Sequence, residues 1–165
     1  MTASAFVDVV DTALRLAAAT AAGAALGVNR EWHGHDVGVR TLALVSLGSA
    51  LITVATIQYG PFAGNVDALS RVTQGVIQGV MTGIGFLGAG AVLRSPNSTH
   101  VKGLTTAATV WITAALGVAC ALAQWPVVLV GAALTLAVLV LLHPLDKWID
   151  ARRRRAEDSA PPPLA

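Results

Sequence analysis

The chain has 165 residues, a length that suits one domain, with 55% hydrophobic residues, 12% charged residues and a formal net charge of +2. Average proteins are about 25% charged; together with a mean hydropathy of +0.67, the shortfall excludes an ordinary water-soluble domain and points to lipid. Cys120, the single cysteine, lies in an apolar run, so an intrachain disulfide and a cysteine metal cluster are both excluded, and it reads as a small packing residue.

A bilayer-spanning helix needs about 20 mostly apolar residues, and the charges divide the sequence into five such stretches: Phe6 to Val28, Thr41 to Tyr59, Ala68 to Leu93, Gly103 to Gln124 and Pro126 to Leu142. The expected fold is an all-α integral membrane bundle over residues 1–145, followed by a basic, proline-rich, unfolded cytoplasmic tail over 146–165. The first stretch is Ala-rich and could pass for a signal peptide, but Asp8 and Asp11 stand where a basic start is needed. Its small residues Thr20, Gly23 and Gly27 recur at helical spacing. Asp11 and Arg15, four apart, can pair on its surface.

The connection from Asn29 to Thr41 is the most polar segment between spans. Arg30 and Glu31 close one helix and Arg40 opens the next, with Gly34 and Gly38 permitting a tight turn. Two readings stand side by side: orientation signals, or a site in which Arg30, Glu31 and Arg40 pair with each other or with a ligand. His33 and His35, with only Asp36 nearby, are too sparse for a metal site, although imidazole is the commonest metal ligand. His100 and His143 read as interfacial. No metal and no cofactor is expected.

The second span sets Ser46, Ser49, Thr53 and Thr56 three or four apart. The third sets Gln74, Gln78 and Thr82 beside Gly75, Gly79 and Gly83, and continues into Gly83-Ile84-Gly85-Phe86-Leu87-Gly88-Ala89-Gly90. That glycine run resembles a dinucleotide-binding turn only superficially: nothing before it reads as a strand, and no acidic residue follows at the expected distance. In a lipid-embedded helix, glycine instead lets a neighbouring backbone come close, and the run reads as the stretch around which the chain is organised. At the start of this span, Asp67 and Arg71 are four apart, and Gln74 and Gln78 continue their polar path into the membrane. A charge drawn into a bundle is costly and marks a functional candidate.

The fourth span repeats the device with Thr105, Thr109, Thr113 and Gly117. Such stripes predict helix–helix contacts made by close approach and interhelical hydrogen bonds, with Gly23, Gly27, Gly79, Gly83, Gly85, Gly88, Gly90 and Gly117 as the packing residues. The fifth span, Leu- and Val-rich with only Gly131 and Thr135 as small residues, is expected at the periphery, after a tight turn at Trp125 and Pro126 where proline suits a first helical turn.

Orientation follows from Lys and Arg, since basic short loops stay in the cytoplasm. Alternate ends, holding Arg30, Arg40, Arg94, Lys102, Lys147 and Arg152 to Arg155, carry nine of the eleven basic residues. This predicts five spans with the N-terminus outside and the C-terminus inside. The tail arginines suit anionic headgroups or a stop-transfer anchor. No catalytic triad, phosphate-binding loop or redox cysteine pair is present, so an enzyme is not expected, nor is a nucleic-acid partner.

Arg30-Glu31-Trp32, Val37-Gly38-Val39-Arg40-Thr41, Ser70-Arg71-Val72, the glycine run Gly83 to Gly90, and Val101-Lys102-Gly103-Leu104-Thr105-Thr106-Ala107-Ala108 with Trp111 together resemble the ordered motifs of the MgtC/SapB family, from about Leu14 to Trp125. The resemblance implies a bacterial inner-membrane protein with five spans, connected with low magnesium, acid stress and intracellular virulence. It implies a regulator that binds membrane partners such as the F-type ATP synthase, alone or as a homo-oligomer; the alternative is a small Mg2+ or H+ transporter. Three departures stand out. Asn29 replaces the usual Glu, a repeated Gln-Gly-Val at 74–76 and 78–80 lengthens the start of the third span, and the chain reads as a short form lacking a soluble C-terminal domain. The residues that could carry function are Arg30, Glu31, Arg40, Thr41, Asp67, Arg71, Gln74, Gln78, Thr105 and Thr106.

Overall fold

The computed structural model of the chain describes residues 3–58, 65–93 and 103–142. They form five helices and, among the described residues, no strand: α1 (Ala3–Trp32), α2 (Val39–Ile57), α3 (Val66–Leu93), α4 (Leu104–Ala121) and α5 (Trp125–Leu141). Helices α1 to α4 are long and apolar enough to cross a bilayer, while α5, at 17 residues, is shorter. Arg94, His100, Lys102, His143 and the basic tail lie outside the described residues.

The ends of the helices are set by local backbone chemistry. Helix α1 runs past Val28 to Trp32 and closes on Gly34, whose φ of +73° is costly for any residue with a Cβ. Gly34 N–H donates to the Glu31 carbonyl (3.0 Å) and His35 N–H to the Arg30 carbonyl (3.1 Å). This paired pattern satisfies carbonyls that a helix end leaves open. Helix α4 ends the same way, with Ala123 N–H to the Cys120 carbonyl and Gln124 N–H to the Ala119 carbonyl, both 3.0 Å. Here the left-handed position holds Ala123, at φ +54°. The turn expected at Trp125 and Pro126 is therefore at Leu122 to Gln124, and those two residues already belong to the first turn of α5.

Helix α4 touches each of the other four helices, and its buried residues run from Thr109 to Ala121. Helix α5 packs chiefly on α4 and α1 and buries only Val128. Close approach is made by glycine: a Cβ at Gly23 would collide with the Leu42 carbonyl of α2, one at Gly27 with the Val39 backbone, and one at Gly117 with the Ser46 backbone. In lipid, where apolar burial gives no drive for helix association, such backbone contact is what holds helices together.

The hydroxyl stripes behave differently from expectation. Thr20, Ser49, Thr53, Thr56, Thr109, Thr113 and Thr135 each donate to the carbonyl four residues earlier in their own helix, at 2.6 to 2.8 Å. The nearest acceptor in a dry environment is that carbonyl, so these hydroxyls donate within a helix rather than across helices. Ser46 is the exception, its Oγ buried without a partner where Gly117 meets α2. Ties between helices come from longer side chains instead. Gln58 Nε2 donates to Thr12 Oγ1 (2.7 Å), and Arg15, paired with Asp11 at 2.7 Å, donates from Nη1 to the Ala121 carbonyl (2.7 Å).

The glycine run does not sit at the centre. Gly83 to Gly90 is uninterrupted helix, so no phosphate-binding turn forms there, and α3 is the least covered of the four long helices. Within the run only Gly88 faces another helix, 3.4 Å from Ala107 Cβ measured from its own Cβ position; Gly75, Gly79, Gly83, Gly85 and Gly90 meet nothing within 4 Å. Of the eight glycines expected to pack, Gly23, Gly27, Gly88 and Gly117 do so inside this chain. The organising element is α4.

Ala123→Gly should raise stability by about 1 kcal/mol, because glycine occupies a left-handed position without the Cβ clash. Gly117→Ala should lower it by about 1–3 kcal/mol, the usual cost of overpacking. Unfolding of the purified protein in denaturing detergent, followed by circular dichroism, measures both.

Candidate functional site

Antiparallel succession places the C-terminal ends of α1 and α3 beside the N-terminal ends of α2 and α4. At this end Arg30, in the last turn of α1, is 1% exposed. A basic side chain there complements the negative end of the helix dipole, yet no carboxylate pairs with it: the ion pair among the described residues is that of Arg15 and Asp11. Its guanidinium is met by neutral oxygens. Nε donates to the Val37 carbonyl (3.3 Å), Nη1 to Thr109 Oγ1 (3.2 Å) and Nη2 to Thr106 Oγ1 (2.5 Å). Thr109 Oγ1 passes its own hydrogen to the Thr105 carbonyl (2.7 Å), so one hydroxyl both accepts from Arg30 and donates into α4.

The surrounding backbone fixes this geometry. Gly103, at φ +94°, precedes α4, and a Cβ there would lie 2.5 Å from the Ala91 carbonyl of α3. That contact sets where α4 begins and so where Thr106 and Thr109 stand. Glu31, next to Arg30, turns the other way and accepts the Val39 N–H at 3.1 Å, capping an open donor at the start of α2. Gly38 leaves room for it, since a Cβ would come 2.7 Å from Glu31 Oε2. Of the triad Arg30, Glu31 and Arg40, no two form an ion pair. Thr105 is exposed, while Thr106 is half-buried on Arg30.

Arg40 and Thr41 are both exposed and line one end of a groove of 770 Å³ between α2 and α3. Its remaining walls are mostly aliphatic, including Leu44, Val45, Ile52, Val80, Ile84 and Leu87, with Gly48, Gly79 and Gly83 between them.

At the opposite end Asp67, Arg71 and Asn65 surround a smaller hollow of 420 Å³. Asp67 and Arg71 are exposed and, against expectation, form no ion pair. Asn65 Oδ1 instead caps α3 by accepting the Ala68 N–H at 3.0 Å. Gln74 leans on Ser70 Oγ at 3.4 Å, and Gln78 is exposed. The candidate residues thus fall into two groups, Arg30, Glu31, Arg40, Thr41, Thr105 and Thr106 at one end and Asp67, Arg71, Gln74 and Gln78 along α3. Thr109 and the Val37 carbonyl were not singled out beforehand as site atoms. The Thr105, Thr109, Thr113 stripe held the signal for Thr109, but not its partner on another helix.

A family model described as MgtC family matches residues 16–148, which include the Arg30 cluster and both walls of the groove. Protein SrpB of Synechococcus elongatus is 43% identical over 141 residues, 80% of this chain and 75% of SrpB. Protein MgtC of Salmonella typhimurium is 36% identical over 130 residues, covering 79% of this chain and 52% of that protein. YhiD of Escherichia coli, whose full name gives it a candidate role in magnesium transport, is 36% identical over 134 residues, 80% of this chain and 60% of YhiD. The chain therefore spans about half to three quarters of the length of these relatives. No solved structure matches it.

Thr106→Val should cost about 1–3 kcal/mol by leaving a buried guanidinium N–H without an acceptor. Arg30→Met with Thr106→Val should cost less than the two single changes added, with a coupling of at least about 1 kcal/mol. A double-mutant cycle of unfolding free energies reads this out; additive costs would show that the two side chains do not depend on each other.

Proposed function

Because the chain belongs to the MgtC family, we propose that this multi-pass membrane protein is a non-enzymatic regulator of the bacterial inner membrane, tied to magnesium limitation or acid and stress adaptation. It acts by helix–helix binding to a membrane partner. The end carrying Arg30 and Arg40 faces the cytoplasm, following the basic residues, and the N-terminus lies outside.

The observation that carries this reading is Gln78. It stands twelve residues into the 28-residue helix α3, near mid-span, exposed and without a hydrogen bond among the described residues. An amide facing hydrocarbon loses water and gains nothing, and polar groups at that depth normally face protein. Gln74, Gln78 and Thr82 are all exposed on α3, and Gly75 and Gly85 leave open space in which another backbone can come close. The partner is a second copy of the chain or another membrane protein, the F-type ATP synthase being the candidate that family resemblance offers. A photo-crosslinking side chain at Thr82 should give a protein adduct in intact membranes, and Gln78→Leu should weaken it about tenfold, the value of one interhelical hydrogen bond. Adducts with lipid alone, from correctly inserted protein, would remove this reading.

The hollow at Asp67 favours a second reading, a small Mg2+ or H+ carrier. Magnesium takes oxygen ligands and keeps several waters, and Asn65 and Asp67 offer oxygen there. The regulator reading expects no magnesium or proton flux into liposomes holding the purified protein. Flux that is present in the wild type and lost in Asp67→Asn would establish the carrier instead.

A further inference from the structure

The groove between α2 and α3 belongs neither to the Arg30 cluster nor to the α3 face that bears Gln78. Its depth comes from absent side chains, since Gly48, Gly79 and Gly83 have no atom within 4 Å of where a Cβ would stand. Its walls are aliphatic apart from Thr41, Ser49 and one charged lining residue, Arg40. Ser49 spends its hydroxyl on the Val45 carbonyl. Arg40 forms no hydrogen bond or ion pair among the described residues: of the acidic residues nearest it along the chain, Asp36 makes no ion pair with it, and Glu31 is held on the Val39 N–H.

Length decides what such a groove can hold. From Arg40 to Ile52 its α2 wall advances twelve residues, roughly 18 Å at the rise of a helix. The hydrocarbon core of a bilayer is about 30 Å thick, so the groove covers about one leaflet and stops. A transmembrane partner helix would need a trough across the whole core. A phospholipid needs one leaflet of apolar wall and a cation at headgroup depth, and basic pockets between spans are known to hold anionic headgroups. We propose that the groove binds one anionic phospholipid, its phosphate on Arg40 with Thr41 beside it and an acyl chain laid along Leu44, Val80 and Ile84. This site is independent of the regulator reading, because it uses a different face of α3.

Native mass spectrometry of the full chain in detergent, titrated with phosphatidylglycerol and phosphatidylcholine of identical acyl chains, tests the proposal. The wild type should retain one phosphatidylglycerol per chain with about fivefold preference, the effect of one basic side chain on an anionic headgroup. Arg40→Gln should bind the two lipids equally. Gly83→Leu and, separately, Gly79→Leu should lose both lipids by filling the groove, and circular dichroism confirms that each variant keeps its helices. Equal retention of both lipids by the wild type overturns the proposal, as does a preference that survives Arg40→Gln, or lipid retention unchanged in whichever leucine variant folds. A dimer that the leucine substitutions dissociate without releasing lipid would place a second copy in the groove and overturn it equally.

Discussion

A guanidinium taken out of water must find oxygen for its N–H groups, and its position is then dictated by wherever those oxygens are. Arg30 meets this demand with one carbonyl from the α1–α2 connection and two threonine hydroxyls from α4. Three segments are thereby fixed to one atom cluster: the end of α1, the loop after it and the start of α4. The tight crossings at Gly23, Gly27 and Gly117 then follow as the packing that this pinned geometry allows. Neutral acceptors spare the site a second buried charge, whose desolvation would be expensive, and leave Glu31 available for the start of α2.

The two ends of the bundle are fastened by different means. At the Arg30 end the fastening is deep and shared between helices distant in sequence. At the other end Arg15, its side chain still 20% exposed and paired with Asp11, reaches the Ala121 carbonyl at the end of α4, and Gln58 joins Thr12 across an exposed gap. Helix α3 is outside both fastenings. It is held by packing on α4 and α2, Ile84 among the side chains involved, with the contact of Gly88 with Ala107 and the close fit of Ala91 on Gly103 near its C-terminal end. The helix that carries more glycines than any other is therefore also the one least committed to its own bundle.

Much of this was legible in the sequence, and the exceptions have physical causes. Charges and apolar lengths located all five helices, because a span cannot tolerate charges at its centre. The family resemblance drew attention to Arg30, Thr105 and Thr106, and the glycines of α1 and α4 stand where their helices come closest to a neighbour. The glycine run on α3 was given the organising role that α4 holds, because a small-residue stripe has the same appearance whether it faces its own chain or open space. The hydroxyls were expected to bond across helices, yet seven of them bond the nearer carbonyl four residues back instead, a competition that spacing alone does not display. The turn before α5 was placed on proline, whereas an alanine in a left-handed conformation makes it.

The distance along the chain between Arg30 and Thr106 is 76 residues. At a synthesis rate of about 5–20 residues per second, the acceptors that α4 contributes emerge roughly 4 to 15 seconds after Arg30 itself. For that interval α1 carries a cation with no protein hydroxyl to receive it, and water or lipid phosphate at the membrane surface must serve in their place. Helices α1 and α2 can lie together early through their glycine contacts, but the burial of Arg30 is a late event, completed only when α4 arrives.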